Sequence, residues 1–156
     1  MNFDNCCQVS TEAISPGLSV NGISGKERQT ILVVDDEEIV LEVTREILES
    51  LGYWAFTACS ATEGIALYQF RKETIDLVIL DMILSDMGGE ETFNRLKLID
   101  PKVKVILSTG YSLSGPAKLI MERGCNGFIQ KPFKIEELSR KVREVLEPDK
   151  SYAVAS

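Results

Sequence analysis

Four apolar runs, each ending on a polar residue, restrict this chain to very few folds. Ile31-Leu32-Val33-Val34 runs into Asp35-Asp36, and Leu77-Val78-Ile79-Leu80 runs into Asp81. Val105-Ile106-Leu107 leads through Ser108 to Thr109, and Gly127-Phe128-Ile129 leads through Gln130 to Lys131-Pro132. Short, uniformly apolar runs of this kind read as strands covered on both faces, the pattern of a parallel sheet. A fifth strand is expected over Tyr53 to Cys59.

Helical periods separate the strands. Val40, Val43, Ile47, Leu48 and Leu51 follow the acidic Glu37 and Glu38, mark one helix face, and meet a stop at Gly52. Ser60-Ala61-Thr62-Glu63 is a capping box that opens a helix through about Lys72. Gly88-Gly89 lead into a helix ending near Ile99, with Pro101 beyond it. A helix from Pro116 to Arg123 closes at Gly124. Ile135, Leu138, Val142, Val145 and Leu146 define the last helix, ended by Pro148. Five strands alternating with five helices predict an α/β, doubly wound (βα)5 fold. Its parallel sheet should have the order 2-1-3-4-5.

On such a sheet the polar run-ends meet at the carboxyl edge, where open α/β sheets bind ligands. Asp35, Asp36 and Asp81 would then end central, adjacent strands. Unit charges 4 Å apart repel by about 4 kcal/mol at an effective dielectric of 20, so the cluster requires a cation or a proton. A hard, oxygen-seeking divalent ion such as Mg²⁺ suits it. Asp81 is also a lone charge among Leu77 to Leu80 and Met82 to Leu84, and burying it is costly unless it is paired. A carboxylate can attack phosphorus and form an acyl phosphate. Lys131 and the ion would stabilise charge on the transferring oxygens. Thr109 would offer its hydroxyl, with Gly110 leaving room for the group. The Lys131-Pro132 bond is expected to be cis.

The motifs Val33-Val34-Asp35-Asp36-Glu37, Val78-Ile79-Leu80-Asp81, Ser108-Thr109-Gly110 and Lys131-Pro132-Phe133, taken in order, resemble the receiver domain of bacterial two-component response regulators. The resemblance covers about Thr30 to Leu146 and implies a flavodoxin-like fold. It implies that Asp81 accepts a phosphoryl group from a histidine kinase and that Lys131 pairs with that group. It places Mg²⁺ on the side chains of Asp36 and Asp81, on Asp35 through water, and on the backbone carbonyl of Ile83. Thr109 and Phe128 match the switch pair, whose movement would repack the face of the fourth helix, fifth strand and last helix. Implied partners are a sensor histidine kinase or phosphotransfer protein, a downstream effector protein, or a second copy in a homodimer.

Two features set this chain apart from that pattern. Ser85 stands where the family usually has proline, so the loop after the third strand is expected to be looser. An apolar Ile83 and a bulky Tyr111 should hinder an attacking water and prolong the acyl phosphate. The stretch Gly124 to Phe133 also looks like receivers attached to hybrid sensor kinases.

Composition narrows the field further. The chain has no histidine, which excludes Ser-His-Asp catalysis, histidine metal sites and a phosphohistidine-donor role. A net charge of −7 argues against direct nucleic-acid binding, which needs a basic patch. No apolar stretch approaches the ~20 residues of a membrane span. Met1 to Asn5 lacks the basic and apolar regions of a secretory signal, so a cytoplasmic location is expected. Cys6, Cys7, Cys59 and Cys125 have no metal-site spacing. Residues 1–28 read as a disordered leader, 29–148 as the receiver domain and 149–156 as a short tail. The alternative is a degenerate, constitutive receiver-like interaction module, against which the complete Asp35, Asp36, Asp81, Thr109 and Lys131 set argues. A flavin carrier would need a Ser/Thr/Gly-rich phosphate loop after the first strand, where this chain has Asp-Asp-Glu-Glu.

Overall fold

Each apolar run becomes a strand because helices cover it from both sides. The computed structural model describes residues 28–110, 113 and 115–148. In chain order these form β1 (Thr30–Val34), α1 (Glu38–Ser50), β2 (Trp54–Ala58), α2 (Ala61–Arg71) and β3 (Ile75–Asp81). There follow α3 (Gly89–Ile99), β4 (Val105–Thr109), α4 (Pro116–Glu122), β5 (Gly127–Gln130) and α5 (Ile135–Leu146). The sheet is parallel throughout, in the order β2-β1-β3-β4-β5. That is the expected flavodoxin-like topology. Residues 1–27 and 149–156, with Cys6 and Cys7, lie outside the described residues, as does Tyr111.

Side-chain alternation along the strands divides the core in two. Leu32, Val34, Val78, Leu80, Val105 and Leu107 pack with Tyr68, Phe93, Leu96 and Ile120 of α2, α3 and α4. Ile31, Val33, Leu77, Ile79, Ile106 and Ile129 pack with Leu41 and Leu48 of α1 and with Leu138, Val142 and Val145 of α5. Among the described residues, no helix is long and apolar enough to cross a membrane. Cys59 donates to Glu63, and the buried Cys125 thiol donates to the Val105 carbonyl at 3.1 Å. Neither is in a disulfide.

The elements depart from sequence expectation in three places. β3 begins at Ile75, two residues before the apolar run, because the Asp76 carboxylate accepts the Thr30 N–H at 2.8 Å. On α1 the buried strip is Leu41, Thr44 and Leu48. Val43, expected in the core, is 49% exposed, and Ile39 is 76% exposed. The apolar face of α1 is wider than the sheet can cover, and its uncovered half borders a cleft. At α2 the Ser60 hydroxyl accepts the Glu63 N–H at 3.1 Å, but the Glu63 carboxylate accepts from the Cys59 N–H and not from that of Ser60.

The loop between β3 and α3 is held at both ends. Asp86 accepts the Ala61 N–H at 3.0 Å, the Thr62 N–H at 2.9 Å and the Thr62 hydroxyl at 2.7 Å, which caps α2 from outside the helix. Burial alone would raise the Asp86 carboxyl, but these hydrogen bonds outweigh it and hold the group below its ordinary range. At the far end, the Gly89 N–H donates to the Met82 carbonyl at 3.0 Å. A Cβ at Gly89 would stand 2.7 Å from the Met82 Cα. On the outermost strand, the Arg28 guanidinium lies over the Trp54 ring and that of Arg71 over the Phe56 ring, at 4.7 and 5.3 Å from the ring centres.

Gly89→Ala should therefore destabilise the protein by about 1–3 kcal/mol, as overpacking does, even though alanine is the better helix former. Gly88→Ala, where a Cβ meets nothing within 4 Å, should cost less than about 1 kcal/mol. Urea denaturation of both variants checks the contrast, and equal losses would refute it.

Candidate functional site

Strand register brings the site together. Val34 pairs with Ala58 on one side and with Leu80 on the other, so Asp35 and Asp81 follow paired positions on neighbouring strands. Asp81 in turn pairs with Ser108, and Thr109 pairs with Gln130. The carboxyl ends of β1, β3, β4 and β5 therefore deliver Asp35, Asp81, Thr109 and Lys131 to one edge. Lys131 is anchored there by its N–H, which donates to the Thr109 carbonyl at 2.7 Å. The Lys131-Pro132 peptide is cis, as expected.

Three carboxylates converge. Asp35, Asp36 and Asp81 each offer an oxygen, and these atoms lie within 4.8 Å of one another. Asp35 is 2% exposed and Asp81 5% exposed, whereas Asp36 faces solvent. Asp35 accepts the Glu37 N–H at 2.9 Å through Oδ1 and the Lys131 ammonium through Oδ2. The same ammonium stands 3.5 Å from Asp81 Oδ2, and Asp81 Oδ1 accepts the Ile83 N–H at 3.3 Å. Asp36 Oδ2 accepts the Ser85 hydroxyl at 3.0 Å. Ser85 thus ties the loop that its lack of a proline ring was expected to loosen.

Charge does not balance within this group. Three carboxylates face one ammonium, which leaves an excess of two negative charges when all are ionised. Burial pushes the Asp81 carboxyl up to about 6, the Asp35 charge adds to the rise, and Lys131 opposes it. For Lys131 burial acts downward, but the hydrogen bond and charge of Asp35, with Asp81 behind it, hold the ammonium above its ordinary value. Hard oxygen donors, a divalent charge deficit and one solvent-facing member fit a small divalent cation with part of its water retained.

The remaining expected residues fall on two sides of this acidic pocket. Ile83 lines an open cleft with Ile39, Val43, Asp81, Lys131 and Phe133. Its backbone N–H binds Asp81, and its side chain is largely exposed. Thr109 is buried at the end of β4. Phe128 is half-buried against the α2–α4 side of the core. Leu107 pairs with Phe128, so Thr109 and Phe128 share a sheet face on adjacent strands. Sequence reasoning did not give roles to the Ser85 hydroxyl or to Asp86. The only local signal was polarity where the family pattern has a ring.

The raised Asp81 pKa has a consequence for stability. The folded protein keeps this proton over a range, from about 4 to about 6, in which the unfolded chain has lost it. Stability therefore falls as pH rises through that window. Without divalent ions, Asp81→Asn should stabilise the fold by about 1–3 kcal/mol at pH 7.5, a gain that vanishes near pH 4. Urea melts of both proteins in EDTA across this range test the point. A gain independent of pH would contradict it.

Comparison with known proteins agrees with this architecture. The family model for the response regulator receiver domain matches residues 31–143. Sporulation initiation phosphotransferase F of Bacillus subtilis is 32% identical over 118 residues, which are 76% of this chain and 94% of that protein. Sensor kinase CckA of Brucella abortus is 30% identical over the same share of this chain, and the matched segment spans 12% of the kinase. Among solved structures, a response regulator receiver domain protein from Clostridium thermocellum superposes with a TM-score of 0.74 at 31% identity. That match covers 80% of this chain and 98% of the other. A CheY-like receiver from Methanospirillum hungatei gives 0.71 at 32% identity with the same coverage. The sheet order, the acidic pocket and these matches agree: the chain belongs to the response regulator receiver domain family.

Proposed function

We propose that this chain receives a phosphoryl group on Asp81 from the phosphohistidine of a sensor histidine kinase or phosphotransfer protein. The observation that carries the reading is a buried carboxylate beside the paired Asp35 and Lys131, on the edge where four strands end. An Asp81 oxygen attacks phosphorus, the N–P bond of the donor breaks, and its electron pair returns to the imidazole nitrogen. Asp35, Asp36 and Asp81, with the Ile83 carbonyl, would hold Mg²⁺, which supplies positive charge for the transferring oxygens. Lys131 stands close enough to pair with the phosphoryl group. These 156 residues contain no histidine, so the donor ring comes from outside them.

Support for a protein donor comes from the rim of the cleft. Ile39, Val43 and Ile83 leave apolar surface exposed around Asp81, which suits docking of a helical partner. Output follows from the added charge of about −1.5 to −2. The Thr109 hydroxyl turns toward the phosphoryl group, and Phe128 moves into the space it leaves. The face of α4, β5 and α5 then repacks, with exposed Leu119 and Ile135 on it. An effector protein or a second copy that prefers the repacked face shifts the equilibrium. A constitutive interaction module is not favoured, since it would have no use for a buried acid cluster that destabilises the fold.

Incubation with Mg²⁺ and acetyl phosphate should add one phosphate to the intact mass of the wild type and none to Asp81→Asn. Chelation of the ion should abolish the gain. Modification of Asp81→Asn to the same extent would dismiss the assignment. Once the donor is removed, the phosphoryl group should persist for minutes or longer, since the apolar Ile83 offers water no polar handle. Ile83→Asn should shorten that lifetime several-fold, and a wild-type lifetime of seconds would count against this view.

A further inference from the structure

The β3–α3 loop carries a residue whose placement bears on ion affinity. Ser85 Oγ donates to Asp36 Oδ2 across 49 positions of sequence. Asp36 is the solvent-facing member of the acid cluster, and Ser85 is itself exposed. Two buried neighbours, Asp35 and Asp81, are already fixed: Asp35 by Glu37 N–H and Lys131, Asp81 by Ile83 N–H and Lys131. Asp36 has no such enclosure, and its side chain must be held from the loop.

The loop is in a position to hold it. Asp86, the next residue, is fastened to α2 by three hydrogen bonds, and the Gly89 N–H closes the other end on Met82. Ser85 therefore sits on a stretch of backbone anchored on both sides, and its hydroxyl is delivered to Asp36 by that anchoring. A carboxylate has about four lone-pair sites, so one hydroxyl at Oδ2 leaves the rest of the group able to meet an ion. Hydrogen bonds to ligating carboxylates orient them and typically strengthen metal binding. The family pattern has proline at this position, which has no donor to offer.

We infer that Ser85 is a positioning residue that orients Asp36 for the divalent ion, so that this chain gains ion affinity from a hydroxyl at the position the family usually gives to proline. The inference rests on the phosphoryl-acceptor reading above. It adds a role for a residue that touches neither the donor nor the phosphoryl group.

The test is Mg²⁺ titration of the full chain by calorimetry, for wild type, Ser85→Ala, Ser85→Pro and Ser85→Thr. Loss of the hydroxyl should weaken Mg²⁺ binding roughly 3- to 10-fold in the alanine and proline variants, less than the roughly 10- to 100-fold typical of such partners because the pair is exposed. Threonine keeps the hydroxyl and should restore most of the affinity. The Mg²⁺ concentration for half-maximal labelling by acetyl phosphate should rise by the same factor in Ser85→Ala, while labelling at saturating Mg²⁺ stays at the wild-type rate. Urea midpoints in EDTA should hardly move, which separates positioning from a merely structural contribution. Unchanged or tighter binding by Ser85→Ala would overturn the inference while leaving the acceptor reading intact. A wild type that neither binds Mg²⁺ nor takes phosphate would overturn both.

Discussion

The ion pair between Lys131 and Asp35 holds the chemistry of this protein together. It joins the end of the first strand to the end of the fifth across 96 positions of sequence, and both groups are largely removed from water. Removing Lys131 would leave two buried carboxylates without a counter-charge, a change that ordinarily costs several kcal/mol. The same ammonium is shared with Asp81 at 3.5 Å, so the proposed phosphoryl acceptor is part of this network. Burial, reinforced by the Asp35 charge and only partly offset by Lys131, keeps Asp81 less acidic than an ordinary aspartate. The fold accepts that strain at the carboxyl edge of the sheet, where added positive charge relieves it.

The sheet puts the approach to Asp81 and the Thr109–Phe128 pair in different places. Access to Asp81 lies along the cleft beside α1, whose outer apolar residues are left uncovered. Phe128 packs in the other layer, under α2, α3 and α4, and Thr109 lies on the same sheet face as Phe128. On the proposed reading, an event at the pocket is approached along the α1 cleft and passes through the sheet to Thr109 and Phe128, with Asp81 and Thr109 lying at the ends of two paired strands. Close packing of both layers makes such a coupling discrete, since a well-filled core moves between arrangements more readily than it deforms.

Much of this was legible from residues alone, for a physical reason. Strands covered on both faces leave uninterrupted apolar runs, and the polar residue after each run marks the edge of the sheet. Asp35, Asp36, Asp81, Thr109 and Lys131 accordingly lie at that edge. What the sequence hid was set by distant partners. Asp76 could enter β3 because Thr30, from another strand, supplies its hydrogen bond. The buried strip of α1 depends on how that helix crosses the sheet, so Val43 was placed in the core although it borders the cleft. Ser85 and Asp86 have partners 49 and 25 positions away, and nothing in their own neighbourhood announces them.

The aromatic residues of β2 bring one more consequence. This strand pairs on one side only, and Trp54-Ala55-Phe56-Thr57-Ala58 is a segment of high β propensity with no charge of its own. Left bare, such an edge is a template for unwanted pairing with other chains. The guanidinium groups of Arg28 and Arg71 lie on its two rings, so an incoming strand would meet hydrated cations where it needs dry contact. A signalling module must meet its partners by choice, and here two arginines guard the border at which association would be indiscriminate.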